Sequence, residues 1–438
     1  VGNRTTYTAT ITQTTVITYK YPSATLRTGD AADRLVRVGD VDYTWDNLGR
    51  LLDDGIYTYT WDAAGRLITV SAGVDVLGFR YDSASQHRIR RKSTMRKKIS
   101  LTIGLVIVLG VVGLATYFLR SDSPPPPTTE EIISQVLRSE LPEFIRGKTG
   151  YARSGDVNIW YESIKPHGAA KGAVLILAGI SSDALMWSPR FLDALGDAGY
   201  QVIRYDYRGT GMSDWIKDWD SRNPYSIQDM VNDGIAVLDA MGIKEAHVVG
   251  VSMGGMVAQQ MAIDHPDRVL SLTSIMSSGD IADPNLPSTP ADVVQEFLAI
   301  SMEFFATKSE RNAIESHIAF RTILMGDSSY ALDVKTISEQ VLYNLRKRQG
   351  YNLQAYLQHQ TAVLTSGSRY DELQTIDTPT LIIHGKSDPL IPIEHGMKCA
   401  DLIPHADTLW IDGLGHDLPD KYVDVIVEKM VMNFQRAE

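Results

Sequence analysis

His247-Val248-Val249 runs into Gly250-Val251-Ser252-Met253-Gly254, and a stretch rich in Ala, Met and Gln follows as far as Ile263. The short apolar run reads as a buried strand and the longer stretch as a helix. A strand that turns straight into a helix forces the corner residue, Ser252, into a strained backbone. Small residues at 250 and 254 relieve the crowding of such a turn, and Gly255 lets the helix pack closer still. The Ser252 side chain then points out of the sheet edge, where a substrate reaches it.

The same alternation recurs on both sides of this corner. Val157 to Tyr161 pairs with Gly150-Tyr151-Ala152 as a leading hairpin. Val174-Leu175-Ile176-Leu177 is a continuous apolar strand, as a sheet covered on both faces requires. Arg190 to Gly199 is helical, Gln201 to Tyr205 is a strand, and 206–213 is a Gly-rich turn. Ser226 opens a helix to about Met241, with Asp229 as its capping partner. Ser271–Ile275, Thr380–Ile383 and Thr408–Ile411 supply further strands. Strands alternating with helices predict an α/β domain, a mostly parallel sheet with helices on both faces. Ligands then bind at the carboxyl ends of the strands.

Between Ile281 and Leu373 the alternation stops, and four helical patterns follow at 293–305, 310–324, 334–347 and 353–364. They predict an inserted helical cap over 281–373, dividing the core into 149–280 and 374–438. Met302, Phe304, Phe305, Phe320, Met325, Tyr343 and Tyr356 would supply its apolar walls.

The N-terminal part differs in charge and pattern. The chain has 438 residues and a formal net charge of -11. Residues 1–100 carry 15 Lys and Arg against 10 Asp and no Glu, and the rest carries 27 against 43. An acidic globular part argues against nucleic acid as a partner. Cys399 is the one cysteine, so no intrachain disulfide forms. Leu101 to Leu119 holds no charge and is near the roughly 20 residues that cross a bilayer. Arg88, Arg90, Arg91, Lys92, Arg96, Lys97 and Lys98 precede it, and Pro124 to Pro127 follow as a stiff spacer. Residues 95–120 are therefore expected to be a membrane anchor or signal peptide, with 121–148 a Pro-rich linker and leading helix. The positive-inside rule places the C-terminal domain outside, periplasmic or extracellular, and cleavage after Ala115 would release it. Met95 opens Met-Arg-Lys-Lys as a signal segment starts, which would leave 1–94 a neighbouring reading frame or a fusion. Within 1–94, Tyr43-Thr44-Trp45-Asp46-Asn47-Leu48-Gly49-Arg50-Leu51 recurs from Tyr59 to Leu67, with a decayed copy at Phe79 to Asp82. Each unit reads as strand, turn, strand.

A serine hydroxyl is a poor nucleophile at neutral pH and needs a base. His416 lies in Gly413-Leu414-Gly415-His416, directly after a strand, and would take the serine proton. Asp388 lies in Gly385-Lys386-Ser387-Asp388-Pro389, after another, and would hold the imidazole. The oxyanion needs two backbone donors: Met253 N–H is one, and Ile180 is the choice for the other, with Gly179 and Ser181 as alternatives. His384 is expected to pack or cap, His265 and His359 to lie on helical surfaces, His395 to start a helix, and Asp206 to anchor the Arg208 turn. Asp417 adjoins His416 too closely in sequence to face it. No His, Asp and Glu cluster has metal-ligand spacing, so no metal is expected.

From Tyr151 to Phe434 these motifs resemble the α/β-hydrolase family. Val202 to Gly211, His247 to Gly254, Asp388 to Pro392, Ala400 to Pro404 and Gly413 to His416 are similar to its aclacinomycin methylesterase-like branch. That resemblance implies a capped serine carboxylesterase without cofactor, acting on small-molecule esters, with nucleophile Ser252, acid Asp388 and base His416. Lactonase, thioesterase, perhydrolase and carbon–carbon hydrolase activities use the same triad, and a ligand-binding scaffold is the non-catalytic alternative. The Tyr43–Leu67 pattern resembles YD, or Rhs, repeats, which would imply a repeat remnant or a secreted effector.

Overall fold

A computed structural model describes short strands between Arg37 and Gly78, then residues 127–437 apart from 218–224, 307–308 and 327–329. The chain divides into two units, Val1–Val108 and Leu109–Glu438.

In the first unit, Arg37–Val38 pairs with Val41–Asp42. Thr44–Trp45, Leu51–Asp53, Thr58–Trp61, Leu67–Ala72 and Asp75–Gly78 form an antiparallel sheet in chain order. The sequence repeat has a counterpart in its register. Trp45 opposes Leu51 and Trp61 opposes Leu67, each beside a shift in the ladder. The decayed copy at Phe79 to Asp82 and the apolar run 101–119 lie outside the described residues. Among the described residues no helix is long and apolar enough to cross a membrane.

The second unit is built on an eight-stranded sheet. Its strands are β1 (Lys148–Ser154), β2 (Val157–Ile164), β3 (Gly172–Leu177), β4 (Tyr200–Tyr205), β5 (Ala246–Val251), β6 (Val269–Ile275), β7 (Thr380–Gly385) and β8 (Asp407–Ile411). The order is β8-β7-β6-β5-β3-β4-β2-β1. β3 through β8 are parallel, and the β1–β2 hairpin adds antiparallel to β4. Strand β3 lies between β4 and β5, so chain direction across the sheet reverses beside it, where ligands collect in open α/β sheets.

Residue alternation explains why β3 is apolar throughout. Leu175 and Leu177 enter the core on one face, and Val174 and Ile176 the core on the other. Helices α3 (Ile227–Ala240) and α4 (Met253–Asp264) close the first face. Helices α2 (Pro189–Asp197) and α11 (Val423–Gln435) close the second. Ser226 caps α3 through the reciprocal bonds with Asp229 expected of that pair.

The cap comprises α5 (Ala291–Ala306), α6 (Glu310–Met325), α7 (Val334–Lys347) and α8 (Leu353–Thr365), followed by the short α9 (Tyr370–Leu373) and, after β7, α10 (Ile393–Leu402). The leading helix α1 (Pro127–Val136) is no free linker. Ile133 and Val136 are buried with Ala313, Ile314, Val341 and Leu342 of the cap.

The corner between β5 and α4 shows why glycine recurs there. A Cβ on Gly250 would stand 2.0 Å from the Gly254 carbonyl oxygen, and one on Gly254 2.4 Å from the Leu177 and Ala178 carbonyls. All three obstacles are backbone, so none swings aside. Gly250→Ala is expected to cost about 3 kcal/mol or more, or to prevent folding. Gly196→Ala in α2, where a Cβ meets nothing within 4 Å, should instead stabilise by up to about 1 kcal/mol. Denaturant titration of the two variants checks the contrast; equal effects would refute the account.

Candidate active site

Ser252 sits at the corner with φ 56°, outside the regions a side chain prefers. Such strain costs of the order of 1–3 kcal/mol and persists only where neighbours hold it. Here the Ser252 N–H donates to the Ile275 carbonyl at 2.8 Å. Its own carbonyl accepts from Gly255 N–H at 2.9 Å and from Ser277 Oγ at 2.8 Å.

Asp388 and His416 come together from the loops after β7 and β8. His416 Nδ1 lies 2.7 Å from Asp388 Oδ2, and both side chains are buried. Asp388 Oδ1 accepts the N–H groups of Leu390 at 2.9 Å and Ile391 at 2.8 Å. Burial pushes the Asp388 carboxyl up, but His416 and His384 outweigh it and hold the group well below the usual carboxylate value. A charged Oδ2 accepts a hydrogen bond from Nδ1–H, which leaves His416 Nε2 as the acceptor. The His416 N–H donates to the Leu324 carbonyl of α6 at 2.7 Å, so the cap itself supports this loop.

His384 does more than pack. Its Nε2 lies 2.8 Å from the Ile391 carbonyl and 3.3 Å from Asp388 Oδ2. Its Nδ1 is buried without a partner and faces Gly396, where a Cβ would approach to 2.4 Å. Nε2 therefore carries the proton and donates it to the Ile391 carbonyl, beside the carboxylate. The spacing His384-Gly385-x-x-Asp388 was the signal available for this contact.

The loop after β3 passes beside Ser252. A Cβ on Gly179 would stand 3.6 Å from the Ser252 Cβ. The Gly179 N–H is taken by Met186 Sδ at 3.2 Å and the Ser181 N–H by His359 Nδ1 at 3.1 Å. Among the described residues the Ile180 N–H has no partner, nor has that of Met253, one of the first-turn amides a helix leaves free.

His359 departs from expectation. It is fully buried rather than on a helix surface. Its Nε2 lies 3.1 Å from the Arg208 carbonyl, so it bridges the Ser181 loop to the Gly-rich turn. Burial pushes its imidazole down to about 4, keeping it neutral with Nε2–H donating and Nδ1 accepting. Period-3.6 reasoning on α8 missed it because a polar residue was assigned to the outer face. Asp206 is the anchor expected. It accepts the Ala184 and Met212 N–H groups at 2.9 and 2.7 Å and pairs with Arg348, burial pushing it up to about 6. Asp417 turns away to pair with Arg321 of α6. His395 is buried in α10, its ring nitrogens taken by Ser278 and the Pro287 carbonyl.

A cavity of about 270 Å³ lies between the strand ends and the cap, and Ile180, Ser252 and His416 all line it. No hydrogen bond joins Ser252 Oγ to His416 in this structure; such bonds commonly tighten only with substrate bound. Phe304, Phe320 and Tyr356 line the cavity as expected. Met325 and Tyr343 do not. Tyr343 packs edge-on against Phe144, with ring centres 5.4 Å apart. The side chains of Met302 and Phe305 lie outside the described residues. Phe297, Ser301 and Phe304 form the inner stripe of α5, and His317, Phe320, Arg321 and Leu324 that of α6, the i, i+3, i+4, i+7 spacing of one helix face.

The model of the α/β hydrolase fold family matches residues 172–420. The chain is 30% identical over 277 residues to a rhodomycin D methylesterase, DauP, of Streptomyces sp. strain C5, covering 60% of this chain and 90% of that one. It is 29% identical over 282 residues to a putative carbamate hydrolase, RutD, of Azorhizobium caulinodans, covering 64% of this chain and 96% of that one. Among solved structures, the esterase RhEst1 from Rhodococcus sp. ECU1013 superposes with a TM-score of 0.51 at 22% identity, over 66% of this chain and 99% of that one. The family match spans β3 to the segment after β8 and so contains every element that carries the site: the chain belongs to the α/β hydrolase fold family.

Proposed function

We propose that the protein is a serine hydrolase that cleaves carboxylic esters. The observation that carries this is that His416, held 2.7 Å from Asp388, lines the same cavity as a serine at a strained corner. Ser252 Oγ attacks the ester carbonyl carbon as His416 Nε2 takes its proton. The carbonyl oxygen becomes an oxyanion held by the N–H groups of Met253 and Ile180, each typically worth about 10²–10³ in rate. Collapse breaks the bond to the alcohol oxygen, which leaves with the proton from His416. Water then attacks the acyl-enzyme by the same route, releasing the acid and restoring Ser252. The likeness to a protein named as a methylesterase favours an ester over an amide.

The reading extends to the whole chain. The uncharged run 101–119 anchors the hydrolase domain in a membrane with the domain outside, and the repeats before it are a YD-type remnant.

Hydrolysis of p-nitrophenyl esters from acetate to longer acyl chains tests the activity. Failure of the folded protein to turn over any of them would overturn it. A second measurement addresses His384. His384→Leu removes the N–H beside Asp388 and is expected to lower kcat about tenfold with little change in KM. His384→Gln, which keeps an N–H donor, should recover most of that loss. Equal kcat in both variants would show that the residue only fills space.

A further inference from the structure

We propose that the pocket selects an aromatic ester bearing a free hydroxyl, and that His317 Nε2 accepts that hydroxyl's hydrogen bond. The inference rests on the esterase reading and names the substrate class of the same site.

His317 lies on the inner stripe of α6 and forms part of the cavity wall. Its Nδ1 is 2.8 Å from the Ala313 carbonyl one turn back. A carbonyl oxygen only accepts, so Nδ1 carries the proton and Nε2 the lone pair. Among the described residues Nε2 has no partner, and it is not one of the buried orphaned atoms, so its open side is the cavity. Burial, helped by Arg321, pushes the imidazole down to about 4 against the opposing pull of the Ala313 carbonyl and Asp183. The ring is therefore neutral at physiological pH and presents an acceptor.

Among the described residues no hydrogen bond reaches Nε2. The ring centres of Tyr351, Phe304 and Phe320 lie 4.5, 5.3 and 6.3 Å away. Arg321 is tied to Asp417, and the Gln340 amide donates to the Leu185 carbonyl at 2.9 Å. An acceptor flanked by aromatic rings penalises a ligand that covers it with carbon and rewards one that donates to it. Sites built this way reject the analogue lacking the polar group far more strongly than apolar pockets reject a missing methylene. The three aromatic neighbours suit a flat ring as the carrier of the hydroxyl.

Isothermal titration of the full-length Ser252→Ala protein tests this without turnover. The ligands are methyl 3-phenylpropanoate and its ring-hydroxylated and ring-methoxylated forms at each ring position. One hydroxylated ester is expected to bind about tenfold more tightly than both its methoxy and unsubstituted counterparts, the value of one hydrogen bond. His317→Phe, which keeps an aromatic ring there, should bring the ratio close to one. His317→Gln, which keeps an acceptor, should retain part of it. Equal affinities at every ring position, no binding by any ester, or a preference that survives His317→Phe would overturn the proposal. Turnover of the unsubstituted ester by the unaltered protein is read separately. Turnover without hydroxyl selectivity overturns this inference alone, whereas selective binding without turnover overturns the hydrolase reading alone.

Discussion

Ser252→Ala is expected to lower kcat for ester hydrolysis by about 10⁶-fold while KM changes little. On the proposed mechanism the variant loses the atom that forms the acyl bond. What remains is the modest acceleration that binding and the oxyanion donors give to attack by water. The fold should survive. The bonds that hold residue 252 at φ 56° run through its backbone N–H and carbonyl, to Ile275, Gly255 and Ser277, and alanine keeps both groups. The change in stability is expected to stay within about 1 kcal/mol, since alanine at positive φ is strained much as serine is. Burst and steady-state release of p-nitrophenol, with denaturant melts of both proteins, separate the two effects. Retention of a tenth or more of the activity would remove Ser252 from the nucleophile role.

Asp388→Asn should lower kcat by about 10⁴-fold, the penalty of a wrong imidazole tautomer. Four donors converge on this carboxylate. Oδ1 receives two backbone N–H groups, Oδ2 receives the His416 imidazole, and the His384 Nε2–H lies 3.3 Å from Oδ2. An asparagine keeps one acceptor and gains an NH₂. The backbone donors cannot turn, so the amide oxygen goes to Leu390 and Ile391 and the NH₂ faces the histidines. His416 must then accept at Nδ1 and carry its proton on Nε2, which would end the proposed service as a base toward Ser252. The His384 N–H is left opposed to another donor, so stability should fall as well, by about 1–3 kcal/mol. Measured kcat at neutral pH and a denaturant melt check both parts. A loss below tenfold would sink the assignment of Asp388 as the triad acid.

Much of the architecture was legible because it rests on short-range rules. The two-face burial of Val174 to Leu177, the Ser226–Asp229 cap and the small residues flanking Ser252 each follow from local sterics or periodicity. The four cap helices were visible from spacing, and the structure places them within one or two residues of that reading. Their inner faces were less so. Phe304 and Phe320 line the cavity as expected, but Met325 and Tyr343 do not, and Phe297 and His317 join the wall unforeseen. Spacing says which residues share a face, and the neighbours in space decide which face looks inward.

The order of Ser252, Asp388 and His416 along the chain is a sequence property, and so is the glycine pattern that makes the corner possible. The tertiary structure alone decided that Ile180 keeps a free amide, because Met186 and the distant His359 occupy the N–H groups on either side of it. It alone placed His384 beside Asp388 and packed α1 against the cap. These outcomes depend on pairs such as Ser181 and His359, separated by 178 residues. A hydrogen bond across that interval leaves no trace in local periodicity, since either partner alone reads as an ordinary polar residue; only the folded path of the chain brings donor to acceptor.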